Sequence, residues 1–140
     1  MEQDLIQSMD TIGMFCRLRV NMKPNIPIRP SEMGVLIFAQ KQNTEVTPRM
    51  ISQFLRISKP SVTSLVNSLV NQGYLSKKPS KVDQRSYVLT MTKSGNQLVE
   101  STFEEYYKSI ALLKENMGEH EFRTFIELMQ KANSILEENV

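Results

Sequence analysis

The 140 residues contain one cysteine, one histidine and no tryptophan, and each scarcity removes a class of function. A single cysteine cannot close an internal disulfide, so a reducing, cytoplasmic setting is expected. His120 stands between Glu119 and Glu121 without the further histidines that a zinc-responsive site would use, so no metal and no cofactor are expected. His120 and Cys16 are the obvious nucleophile–base pair, yet they lie far apart, and the five glycines form no phosphate-binding loop. No enzyme is expected. No apolar run approaches the roughly 18 residues that span a bilayer. The start, MEQDLIQSMD, carries acids where a signal peptide would carry bases. Internal repeats and low-complexity tracts are also missing.

The most informative shortage is of acid in the middle of the chain. Residues 46–93 hold eight bases (Arg49, Arg56, Lys59, Lys77, Lys78, Lys81, Arg85 and Lys93) and one acid, Asp83, a net of +7. Residues 1–45 hold five of each sign, and residues 94–140 hold four bases and nine acids. A basic middle between neutral and acidic ends points to one segment that meets a polyanion.

What is present has the length of one domain with a real core. Leu5, Met9, Ile12 and Cys16 recur at helical steps, so the first twenty residues read as an amphipathic helix. KPNIPIRP, with three prolines, is a connection. SEMGVLIFAQKQ reads as a helix capped by Ser31, with Met33, Leu36, Ile37 and Gln40 along one side. QNTEV is polar punctuation. Thr47 followed by Pro48 signals the next helix start; its expected buried stripe is Ile51, Phe54 and Leu55, and it ends near Ile57. Ser58 offers a new cap, with Pro60 in the first turn. Val62, Leu65, Val66, Leu69 and Val70 then repeat with a strong helical period until Gly73.

YLSKK and SYVLTM read as strands around the loop PSKVDQR, and Thr92 can cap the helix after them. Val99, Phe103, Tyr106, Ile110, Leu113 and Met117 form one heptad-like seam. After Gly118, Phe122, Phe125, Met129, Ala132 and Leu136 form another.

Two short helices, a tight turn and a basic hairpin make a winged helix-turn-helix pattern. The outward face of the second helix is Ser61, Ser64, Asn67, Ser68 and Asn71, with Thr63 on the flank. A solvated helix face usually carries paired charges. Small hydroxyls and amides without carboxylates instead suit a major groove, where they approach base edges and do not repel phosphate. The helix start at Ser58 and Lys59 adds free N–H groups for a phosphate, and Thr47 and Arg49 open the preceding helix as phosphate contacts. At the loop tip Arg85 suits a minor groove. Asp83 would hold its guanidinium in one direction, and Lys77, Lys78 and Lys81 would track the backbone. The competing reading of the hairpin is a solvated turn with an incidental ion pair.

ISKPSVTSLVNSLVNQGYL followed by SKVDQRSYVLTMTKSG resembles the recognition helix and wing of the MarR family of bacterial transcriptional regulators. The family's wing, Asp-x-Arg and then an apolar strand ending in Leu-Thr-x-x-Gly, is matched by Asp83-Gln84-Arg85 and by Met91-Thr92-Lys93-Ser94-Gly95, with methionine for leucine. Ser58, Ser61, Val62, Thr63, Leu65 and Val66 match the recognition-helix pattern, with serine for its first threonine. The close match covers about residues 47–95.

The resemblance implies a mainly α fold with a small β-hairpin wing. Residues 1–140 would form a single MarR-like unit, with a winged helix-turn-helix over 30–95 and a helical dimerisation region over 1–25 and 96–140. It implies a homodimer on double-stranded DNA with a pseudo-palindromic operator, acting as a repressor that a small-molecule effector releases. The alternatives are a thiol-based oxidation sensor through Cys16 and a winged-helix module that binds protein. Cys16 on an apolar stripe reads first as a buried structural residue.

Overall fold

Local chemistry sets most of the element boundaries in the computed structural model, which describes residues 2–42, 44–83 and 85–140. Asn43 of the polar punctuation and Gln84 of the Asp-x-Arg pattern lie outside them. The chain forms α1 (Glu2–Asn21), α2 (Pro30–Lys41), α3 (Pro48–Leu55), α4 (Lys59–Asn71), β1 (Leu75–Pro79), β2 (Tyr87–Met91), α5 (Lys93–Tyr106), α6 (Lys108–Met117) and α7 (Glu119–Glu138). Two compact units result, one of residues 25–106 and one of residues 1–24 with 107–140. None of the described helices is long and apolar enough to cross a membrane.

The unit of residues 25–106 is built around α2. Met33, Val35, Leu36, Ile51, Val62, Val66, Leu69 and Leu89 are almost wholly enclosed. Each such side chain contributes about 1.5–3 kcal/mol relative to exposure. The run MGVLIFA is apolar on nearly every side, and α2 is buried accordingly, with Val35 and Ala39 in the core while Gln40 is exposed. This corrects the one-sided stripe expected from spacing. The N-cap is also corrected, from Ser31 to Arg29. Pro30 takes the first helical position, and the Glu32 carboxylate accepts from the Arg29 backbone N–H at 3.0 Å.

Thr47 caps α3 as expected, accepting from the Met50 N–H at 3.2 Å. Arg56 follows the helix in the left-handed region at φ 56°, which costs a non-glycine residue on the order of 1–2 kcal/mol. The turn is closed by two bonds: Ile57 N–H donates to the Ser52 carbonyl at 3.3 Å, and the Ser52 hydroxyl donates to the Ile57 carbonyl at 2.7 Å. Ser58 then caps α4 by accepting from the Ser61 N–H at 3.4 Å. Gly73, at φ 82°, turns the chain out of the helix. Phe54, expected inside, is 56% exposed and stacks on Phe38 with ring centroids 4.5 Å apart. An eight-residue helix buries one residue, Ile51, deeply, and Phe54 falls on its rim.

β1 and β2 pair antiparallel with Leu75 opposite Met91 and Pro79 opposite Tyr87. Val46 adds a third, one-residue rung by exchanging two backbone bonds with Leu89, at 3.0 and 2.7 Å. Thr92 joins the hairpin to α5. Its hydroxyl donates to the Gly73 carbonyl at 2.6 Å and accepts from the Gly95 N–H at 3.0 Å. A β-carbon on Gly95 would lie 2.2 Å from the Tyr74 carbonyl oxygen, so the Thr-x-x-Gly spacing seats the start of α5 against the turn that ends α4.

In the other unit, α6 packs on α7, and Phe15 of α1 meets Phe125 of α7 edge-on at 5.8 Å. None of these three helices has a buried residue. Cys16 is exposed, which corrects its reading as a core residue: the apolar stripe of α1 is largely uncovered within one chain. The seam from Val99 to Met117 is likewise not one helix, because α5 ends at Tyr106 and α6 begins at Lys108.

Candidate nucleic-acid interface

Ser61, Thr63, Ser64 and Asn67 are all exposed along α4. The buried positions Val62, Leu65, Val66 and Leu69 fix the opposite face against the core. The Thr63 hydroxyl donates to the Lys59 carbonyl at 3.0 Å, leaving its oxygen able to accept. The Ser58 and Ser61 hydroxyls lie 3.0 Å apart at the helix start, where exposed Lys59 adds a cation. Arg49 is exposed on the first turn of α3, and Thr47 is half-buried in its capping role. Ser68, expected on the outward face, is turned instead toward α2. Its hydroxyl donates to the Glu32 carboxylate at 2.5 Å.

Glu32 is 3% exposed, the one buried acid among the described residues. One carboxylate oxygen accepts from the Arg29 N–H and from Arg29 Nε at 3.0 and 3.1 Å. The other accepts from Ser68 and from the Gln72 amide at 2.5 and 3.2 Å. Burial works to raise its pKa, but the hydrogen bond from Ser68, those from Arg29 and the Arg29 charge together hold it below the ordinary value. The capping half of this arrangement had a sequence signal, proline followed two residues later by Glu. The half that reaches α4 joins residues 36 and 40 positions apart and had none.

The wing is ordered by its own side chains. Ser80 Oγ accepts from the N–H groups of Val82 and Asp83 at 3.2 and 3.3 Å. Asp83 Oδ1 accepts from the Arg85 backbone N–H at 3.0 Å. Backbone bonds from Ser86 N–H to the Asp83 carbonyl and from Ser80 N–H to the Ser86 carbonyl, both 3.1 Å, close the loop. Asp83 therefore shapes the backbone at Arg85, which corrects the expectation that it grips the guanidinium. Among the described residues no ion pair joins the two side chains. Arg85, Lys78 and Lys81 are exposed, and Val82 projects with 97% of its surface open. Lys77 Nζ sits 4.0 Å over the Tyr87 ring, so its ammonium is held against the strand. Burial pushes the Tyr87 phenol above its usual pKa.

His120 is exposed at the start of α7. Among the described residues no group of three metal-ligating side chains comes together.

Residues 26–86 match the MarR family model. An uncharacterized HTH-type transcriptional regulator of Mycobacterium leprae is 27% identical over 78 residues, 56% of this chain and 54% of that protein. The HTH-type transcriptional repressor YetL of Bacillus subtilis is 21% identical over 95 residues, 68% of this chain and 56% of that one. The match thus spans about half the length of these curated relatives. Among solved structures, a mutant MarR from E. coli complexed with operator DNA superposes with a TM-score of 0.80 at 19% identity, over 92% of this chain and 95% of that one. A MarR/EmrR family regulator from Acinetobacter sp. ADP1 gives 0.78 at 18% identity, over 94% and 96%. Residues 26–86, from the start of the winged helix to its wing, match the model of the MarR family, and the chain as a whole has the fold of the MarR structures.

Proposed function

We propose that this chain is a sequence-specific DNA-binding transcriptional regulator, a cytoplasmic homodimer that represses by occupying a pseudo-palindromic operator. One observation carries the reading: α4 exposes Ser61, Thr63, Ser64 and Asn67 without a carboxylate beside a basic wing. The one acid between Ile57 and Lys93, Asp83, lies in the wing loop and not on α4, and its carboxylate accepts from a backbone N–H. Likeness to a MarR complexed with operator DNA and to a transcriptional repressor supports the same reading.

In this scheme Ser58 and Lys59 meet phosphate and base edges at the start of α4. Ser61, Thr63, Ser64 and Asn67 read the major groove. Arg85 enters the minor groove from a loop shaped by Asp83. Lys77, Lys78, Lys81, Thr47 and Arg49 contact the backbone. Residues 1–25 and 96–140 supply dimerisation, and a small molecule that favours the DNA-free form acts as effector.

Selection of duplexes from a random pool tests this, with binding repeated across salt concentrations. The expected result is an inverted repeat with half-sites about one helical turn apart and an affinity that falls steeply with salt. Arg85→Ala is expected to weaken binding by about 1–3 kcal/mol, and Lys77→Ala by less, mainly through a lower salt slope. No retained duplex at any salt would leave the winged helix as a protein-binding module.

The alternative reading is regulation by thiol oxidation at Cys16, which is exposed on a single chain but lies on the α1 stripe that a second copy would cover. Peroxide treatment that leaves Cys16 a thiol and DNA affinity unchanged would eliminate it.

A further inference from the structure

The apolar face of α4 holds the helix against the core, but apolar packing is weakly directional. Val62, Leu65, Val66 and Leu69 resist withdrawal of the helix more than a small rotation about its own axis. Hydrogen bonds are directional, and α4 makes two to a single buried group. Ser68, near its C-terminal end, and Gln72, the C-cap residue one helical turn on, both donate to one oxygen of Glu32. The other oxygen is occupied by the backbone and side chain of Arg29. The carboxylate is thereby fixed at the start of α2 on one side and grips α4 on the other.

We infer that Glu32 is a positioning residue for the recognition helix, setting the rotation of α4 and therefore which of Ser61, Ser64 and Asn67 reach base edges. The inference rests on the DNA-binding reading above and deepens it. Ser68 acts through Glu32 and does not touch DNA, although it shares a helix with residues that do. A carboxylate is required because both oxygens must accept: glutamine at 32 has one acceptor oxygen and an NH2 group, so it satisfies Arg29 or the α4 donors but not both.

The two oxygens give the test its contrast. The full chain is compared with Glu32→Gln, Ser68→Ala, Gln72→Ala, the double variant of Glu32 and Ser68, and Arg29→Met. For each, the affinity for the selected operator is divided by that for scrambled duplex, and cooperative thermal unfolding is recorded alongside. Glu32→Gln and Ser68→Ala are each expected to lower this ratio by about three- to tenfold. The double variant is expected to lose little more than the worse single one. Arg29→Met, which removes a donor only to the α2-side oxygen, is expected to lower the melting temperature while keeping the ratio. If Glu32→Gln does not fold, Ser68→Ala and Gln72→Ala carry the test, and both are expected to lower the ratio.

An unchanged ratio in Ser68→Ala and Gln72→Ala overturns the inference. So do additive effects of Glu32→Gln and Ser68→Ala, which would assign Ser68 a direct DNA contact. A ratio that falls in Arg29→Met in step with stability would make the network a matter of folding alone, and would also overturn it. A wild-type protein with no preference for any duplex removes the DNA-binding reading itself, and this inference with it.

Discussion

At the residue scale, two positions show how a single group fixes the winged helix. Burial works to raise the pKa of Glu32, but the hydrogen bonds from Ser68 and Arg29 and the Arg29 charge outweigh it and hold the pKa down. Its folded pKa lies below the ordinary 4.5. Its contribution to stability is therefore fully present above about pH 4.5 and is lost as pH falls through the folded value. Urea unfolding of the wild type and Glu32→Gln should differ by a constant amount from neutral pH down to that point, and the gap should shrink below it. A gap that widened toward acid would mean that burial, not hydrogen bonding, controls the group. Gly95 acts by size. The 2.2 Å approach of a β-carbon to the Tyr74 carbonyl meets backbone, which cannot swing aside as a side chain would. Gly95→Ala should cost about 1–3 kcal/mol in chemical denaturation, although alanine is the better helix former. A neutral or stabilising result would show that α5 can shift without loss.

At the element scale, three helix starts were legible, the cap of α2 was misplaced at Ser31 instead of Arg29, and sides were less legible. Thr47-Pro48, Ser58 with Pro60 and Thr92 are local signals, satisfied within three residues, and the structure uses all three as read. Phe54 and Ser68 were misplaced because periodicity gives a helix's direction, not the extent of the elements packed on it. Phe54 extends past the end of the cover, and Ser68 finds a partner in α2. The wing was legible as an element and misread in its wiring, since Asp-x-Arg does not say whether the carboxylate meets the guanidinium or the backbone. The observed bond to the Arg85 N–H makes a sharp prediction. Asp83→Asn keeps an oxygen acceptor and should bind DNA close to wild type, whereas Asp83→Ala should lose about 0.5–1.5 kcal/mol. Equal losses in both variants, read by fluorescence anisotropy on the selected operator, would instead indicate that the charge orients the guanidinium.

At the scale of the whole molecule, the two units differ in how well a single chain satisfies them. Residues 25–106 enclose their own core. The described helices outside it leave Leu5, Met9, Ile12 and Leu18 of α1 exposed, along with Leu128, Ile135 and Leu136 of α7, with Leu5 at 67% and Met9 at 70%. That much open apolar surface on one folded chain ordinarily marks an interface. The heptad spacing was visible in sequence, but spacing alone does not separate packing within a chain from packing between chains. A second copy fits the DNA-binding reading, because a pseudo-palindromic site needs two winged helices held at a set distance. Ile12→Glu combined with Leu136→Glu places carboxylates in that surface, and burying an unpaired charge there would oppose association. The double variant should sediment as a monomer at concentrations where the wild type is a dimer. The fold of residues 25–106 should persist by near-ultraviolet circular dichroism, because none of its core residues is touched. Affinity for the full operator should fall toward that for a single half-site, while the salt slope, which counts phosphate contacts, should drop by about half. A variant that remains dimeric with unchanged operator affinity would show that the exposed faces of α1 and α7 are not the surfaces that join two copies.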